Sequence, residues 1–152
     1  MHSLRLIRLL DTHSESIAET LLARILRSEE CADMNKVPLD ELALRSREIY
    51  HNLSDWLSNG TEWEMARRYV ALGAERASQD VALSHFIWAI GLTKKTLFEF
   101  LEREGLSDNP IELYGSLELL IILDRFFDSA IYYATVGYER YHARRSSFIE
   151  AA

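Results

Sequence analysis

The chain has 152 residues, 48% of them hydrophobic and 27% charged, which is a length for one core and a composition too apolar for a disordered chain. Seventeen bases against 24 acids leave a net charge of −7, which argues against a nucleic-acid surface, because neutralising phosphates takes a basic face. The single cysteine, Cys31, excludes an internal disulfide framework and fits a reducing cytoplasm, and no apolar run reaches the roughly 20 residues of a membrane span.

The expected layout is an all-α, single-domain bundle of about five helices over residues 1–152, ending in a long C-terminal helix. At the start, Arg5 and Arg8 interrupt a short apolar run that has no h-region of signal-peptide length. Thr12 or Ser14 caps a first helix to about Arg27, with Ile17, Leu21, Leu22, Ile25 and Leu26 on its apolar side. Residues 28–37 read as a polar loop. Pro38 then stands where a first helical residue belongs, with Asp40 and Glu41 suiting the positive end of the helix dipole. The stripe Leu39, Leu42, Ile49, Leu53, Trp56, Leu57 carries this second helix to Ser58.

Asn59-Gly60 stops it, and Thr61 with Glu64 three residues on forms a capping box for a third helix over about 62–78. Its inner stripe is Trp63, Ala66, Val70, Gly73 and Ala77, mostly small residues that let another helix come close. A break near Gln79-Asp80-Val81 precedes a fourth helix to about residue 104, with Leu83, Phe86, Ile87, Ile90, Leu97 and Leu101 inward. Ser107-Asp108-Asn109-Pro110 repeats the cap-then-proline signal. From there to about Arg144 no proline or turn cluster interrupts a fifth helix about 50 Å long. Its apolar residues cover so wide an arc that it needs more than one packing partner. It is either a central core helix or a core helix that also forms a homodimer seam, with Leu120, Phe127, Ala130, Ala134 and Tyr141 as interface candidates. Asp124, Arg125 and Asp128 interrupt it, as a solvated or interface-rim stripe or as a polar pair fixing dimer register.

Two Glu-x-x-His pairs, Glu48 with His51 and Glu139 with His142, match the spacing of di-iron bundles. Such ligands must face the core, whereas Glu48 and His51 fall on the side opposite Leu42, Ile49 and Leu53, so no metal ligand is assigned. Trp63, His85 and Trp88, with Trp56, are candidates for a small-molecule pocket between helices. Plain core and surface roles compete with that reading. Cys31 sits among Glu29, Glu30 and Asp33, acids that raise a thiol pKa and disfavour a nucleophile. Phosphate-loop, dinucleotide-binding, serine-hydrolase and zinc signatures are all missing, so the reading is of a non-enzyme that calls for no cofactor.

The run Arg68 to Ser84, followed by Ile87-Trp88-Ala89-Ile90-Gly91-Leu92-Thr93, resembles the N-terminal sensory domain of RsbR-type co-antagonists of the RsbT kinase. Gly73, Arg76, Ala77, Val81, Leu83, Ile87, Trp88, Ala89 and Ile90 fit the family's pattern, and the likeness extends over about residues 18–140. The chain departs from it at Asp80, where the family usually carries glycine, leaving the sharp turn before the fourth helix without its usual residue. The resemblance implies a bacterial, cytoplasmic, non-catalytic input domain, dimeric through its last helix, that signals to a downstream protein. No output domain follows residue 145, so the chain is either an excised input domain or a stand-alone member. Two rival readings are a helical metal or haem protein and a plain protein-protein adaptor. Neither membrane nor nucleic acid is expected as a partner.

Overall fold

The computed structural model describes residues 4–105 and 109–151. Those residues are all-helical, without a strand: α1 (Leu4–Thr12), α2 (Ser14–Arg27), a 3-10 helix (Glu29–Lys36), α3 (Leu39–Asn59), α4 (Glu62–Ser78), α5 (Leu83–Gly105) and α6 (Pro110–Ala151). Two of these elements go beyond the five expected helices. Leu6 and Leu10, one turn apart, are 0% and 1% exposed and give α1 a buried edge despite its arginines. The polar stretch expected to be a loop winds into the 3-10 helix because Cys31 and Met34 are buried and hold it against the core.

Several sequence signals act as expected. Thr61 caps α4, its hydroxyl accepting from the Glu64 N–H at 3.2 Å. Asp80 sits in the turn before α5 with φ of +59°, the left-handed conformation that glycine takes without strain. The turn is thus made without glycine, and Lys36 Nζ braces it by donating to the Asp80 carbonyl at 2.8 Å. The inner face of α4 differs from the expected stripe. Met65, Tyr69, Gly73, Arg76 and Ala77 are buried, while Trp63, in the first turn after the cap, is 68% exposed.

The helices divide into two groups. α3 packs on α1 and α2, whereas α4 packs along α6. This α4–α6 contact is backbone on backbone: a Cβ on Gly73 would lie 1.9 Å from the Ala134 carbonyl oxygen, and one on Gly137 would lie 1.9 Å from that of Val70. Glycine is required at both places by close approach. α5 lies between the groups. Its buried Thr93 carbonyl accepts from the Tyr50 hydroxyl of α3 at 2.9 Å, and its Lys94 pairs with Asp124 of α6. The core centres on Tyr50, Leu53, Leu97, Leu101, Leu123 and Phe127, each under 2% exposed. α6 is 42 residues long, about 63 Å, and from His142 to Ile149 every side chain is exposed, so its last turns stand clear of the bundle.

Candidate functional site

α3 and α4 are consecutive and joined by a tight turn at Gly60, yet they barely touch along their lengths among the described residues. The reason is the division just described: α3 is drawn toward α1 and α2, α4 toward α6. The gap between them is an open-sided cleft of about 940 Å³, near the upper end of small-molecule sites. Its apolar surface includes the buried residues Leu53, Met65, Tyr69 and Phe126, with Ile49 and Leu72 half-buried. Trp56 leans on Phe126 with ring centroids 4.8 Å apart, wedging α3 against α6. Burial pushes the Tyr69 hydroxyl pKa up to about 12, so it stays a neutral phenol at any physiological pH.

Charged groups close the end of the cleft away from the turn. Arg45 bridges the two helices, meeting Glu48 at 3.1 Å and Glu75 at 3.4 Å. Behind them Arg76, only 2% exposed, meets Glu41 at 3.1 Å and Gln79 at 2.8 Å. The two glutamates diverge in acidity. Burial and the hydrogen bond with Glu41 raise the Glu75 pKa above the ordinary carboxylate range. For Glu41 burial acts upward as well, but its hydrogen bonds with Glu75 and Arg76 outweigh it and hold the pKa below that range. Among the described residues, three solvent-shielded N–H groups have no hydrogen-bond partner: Nε of Arg45, Nε1 of Trp56 and Nε of Arg76. The first two belong to residues that line the cleft.

The three pocket candidates do not converge. Trp63 stands at the cleft's rim, its ring under the Arg67 guanidinium at 5.5 Å. His85 lies at the start of α5, away from the cleft, where its Nδ1 accepts from the Asp33 N–H at 3.0 Å. The Asp33 carboxylate in turn accepts from the Ala82 N–H at 2.9 Å, so the histidine belongs to a bracket that caps α5. That backbone hydrogen bond lowers the Asp33 pKa. Trp88 is 47% exposed on α5, outside the cleft. Residues that reading along the chain did not single out for the site, among them Tyr69, Leu72 and Phe126, line it because of how α4 and α6 pair, and no local pattern marks them.

The dimer-seam candidates separate as well. Phe127, Ala130 and Ala134 are at most 1% exposed, packed inside the protomer, and Ala134 abuts Gly73. In this packing they are closed to a second copy, while Leu120 and Tyr141 are half-buried. The face of α6 that solvent reaches is a different one, carrying Tyr114, Leu117, Ile121, Arg125, Asp128 and Tyr132. Asp124 is engaged by Lys94. The two Glu-x-x-His pairs stay apart in their contacts: Glu48 is held by Arg45, His51 lies 3.8 Å from Asp11, and His142 stacks on Tyr138 with centroids 4.9 Å apart. Among the described residues no group of three His, Cys, Asp or Glu could hold a metal ion, and the cleft lining has neither histidine nor cysteine.

Comparison with protein families matches residues 15–148 to the RsbT co-antagonist protein RsbRD N-terminal domain. The chain belongs to that family. The match begins within α2 and ends near the end of α6, so it takes in the cleft and the α4–α6 pair. An RsbRD N-terminal domain is a regulatory co-antagonist domain and not a known catalytic family, which makes a sensory or regulatory role the coarse reading of this chain. No curated protein and no solved structure matches it. No described helix is long and apolar enough to cross a membrane.

Proposed function

We propose that this RsbRD N-terminal domain is a non-catalytic input module of bacterial cytoplasmic signalling. A signal is received in the α3–α4 cleft and passed to α6, through which a homodimer presents itself to a downstream partner of the RsbT type. The observation that carries this reading is the reciprocal Gly73–Ala134 and Gly137–Val70 contact. Backbone-to-backbone packing leaves no side chains to absorb a displacement, so a shift of α4 at the cleft becomes a shift of α6. The relay then needs only an element with two arrangements that both ends bias.

The solvent-facing stripe of α6 supports a second copy as the dimer partner, because it complements itself when turned antiparallel. Tyr114, Leu117, Ile121, Arg125, Asp128 and Tyr132 recur every three or four residues and share one side of the helix. With Arg125 of one protomer opposite Asp128 of the other, Ile121 falls opposite Tyr132, and a two-fold axis repeats both pairs. Arg125 and Asp128 have no ion-pair partner within the protomer among the described residues.

Charge-swap variants test this in sedimentation equilibrium. Arg125→Asp and Asp128→Arg each weaken dimerisation, and the double swap restores it. A monomeric parent chain, or a double swap no better than either single change, would overturn the homodimer.

A further inference from the structure

Away from the cleft, the turn between α4 and α5 is tied from two sides. The 3-10 helix holds it at Asp80 and Ala82 through Lys36 and Asp33, and from α6 the Tyr138 hydroxyl donates to the Val81 carbonyl at 2.7 Å. One further tie, between Asp33 and His85, can be worked by a proton. We propose that His85 is a proton-operated latch between the 3-10 helix and α5. As the neutral imidazole it accepts from the Asp33 N–H. As the imidazolium it gives up that N–H and turns to the Asp33 carboxylate.

A backbone N–H can only donate, so the 3.0 Å bond from Asp33 requires the lone pair of His85 Nδ1 and leaves the ring proton on Nε2. A proton added at Nδ1 takes that lone pair and sets two N–H groups against each other. Asp33 Oδ1 lies 3.9 Å from Nδ1, so a swing of about 1 Å brings the charged ring to hydrogen-bonding distance of the carboxylate. The other oxygen of that carboxylate accepts from the Ala82 N–H at 2.9 Å, so the swap also pulls on the cap of α5. With 28% of its side chain exposed, His85 is open to protons from solvent. The groups around it hold their charge while a histidine titrates. The Ala82 hydrogen bond, above all, keeps the Asp33 carboxyl below its ordinary range, and Lys36 stands 3.6 Å from Asp33 Oδ2. Elsewhere on the 3-10 helix, Glu30 is held by the Ser28 hydroxyl and Glu29 is exposed. The turn contributes Asp80. From α6 comes Tyr138, a phenol that burial and Asp80 push up and keep neutral, with His142 stacked on its ring. The charges near the end of α4, Glu75 and Arg76, face α3, and Arg24 of α2 pairs with Glu99 farther along α5.

The test is an NMR titration of the isotope-labelled full chain from about pH 8 to about pH 5, the range in which histidines change charge. The expected result is that the His85 ring, the Asp33 amide and the Ala82 amide move with one midpoint. The Asp33 bond to the ring is present above that midpoint and lost below it. Protection of the Asp33 amide from hydrogen exchange, measured against the unfolded rate at each pH, therefore falls about fivefold on the acid side. His85→Asn places a side-chain oxygen near the position of Nδ1, where it accepts from the Asp33 N–H without titrating. In that variant both amides lose the pH step and the protection persists, whereas His142→Asn leaves the step in place. The titration of the unsubstituted chain decides the matter by itself should His85→Asn fail to fold. Asp33 and Ala82 amides that ignore the ring's titration, a step that survives His85→Asn, or a ring that keeps one charge across the range would each overturn the latch.

Discussion

Replacing Gly137 with alanine tests the α4–α6 contact, because two effects of opposite sign meet there. In an exposed helix, glycine to alanine is stabilising by about 0.5–1 kcal/mol, since alanine loses less backbone freedom on folding. At Gly137 the added Cβ would lie 1.9 Å from the Val70 carbonyl oxygen, 2.7 Å from its carbon and 2.9 Å from its Cα. Real Cβ contacts essentially never fall under 3.0 Å, so α4 and α6 must part by about 1 Å. The obstacle is helical backbone and cannot swing aside. Overpacking of this kind costs about 1–3 kcal/mol, and parting two packed surfaces by that much forfeits up to half of their dispersion attraction. The net expectation is a loss of about 3 kcal/mol, or roughly 6–12 °C in Tm for a chain of this size. Gly91 on α5 is the control, because a Cβ there meets nothing within 4 Å. Denaturant and thermal unfolding of both variants should therefore move in opposite directions. If Gly137→Ala matched Gly91→Ala in sign, the helices would not be in backbone contact and the proposed relay would lose its basis.

Asp80→Gly should raise stability by about 0.5–1 kcal/mol, because Asp80 holds φ at +59°; an unchanged or lower midpoint in urea refutes the strain. Cys31 is 0% exposed and its thiol pKa is raised by burial, so an aromatic disulfide reagent should label it only as fast as the chain opens, and labelling at the rate of a free thiol would contradict this. Glu75 titrates above the ordinary carboxylate range in the folded chain, so its proton favours the folded state below that pKa. That contribution is lost as pH rises through the raised value. Glu41 runs the other way, its stabilisation lost only as pH falls through its lowered value. Unfolding midpoints across pH should show Glu75→Gln removing the decline just above the ordinary glutamate range; an identical slope in both proteins would refute the assignment.

Most of the fold was legible from local signals. Thr61 marks a real helix start, Pro38 stands one residue before α3 in extended backbone rather than as its first helical residue, Gly60 ends α3, and Phe86, Ile90, Leu97 and Leu101 face inward as their spacing implies. What the apolar face of α6 packs against was not, and the difference is physical. Periodicity shows that Phe127, Ala130 and Ala134 share an apolar face, but only packing decides whether that face meets α4 or a second protomer. Gly73 carried the right hint of close approach and left its partner unnamed. At the cleft, Trp63 was visible as an aromatic at helical spacing. Tyr69, Leu72 and Phe126 became lining only when α3 and α4 were pulled toward different neighbours. His85 beside Phe86 resembled a ligand because sequence gave no sign of Asp33, fifty-two residues upstream, donating to its ring.

That same bracket bears on how α5 comes into being. The first N–H groups of a helix have no partner within it, and for α5 the Ala82 N–H finds one in an aspartate forty-nine residues earlier. Bringing the ends of such a loop together has an entropic cost that grows as the logarithm of its length, about 3 kcal/mol here. α5 is therefore a helix whose first turn is completed by tertiary structure. A peptide cut to its sequence would fray from the N-terminal end, and adding the 3-10 segment back as a separate strand of chain would not restore that turn at modest concentration, because the tether supplies the local concentration that free solution lacks.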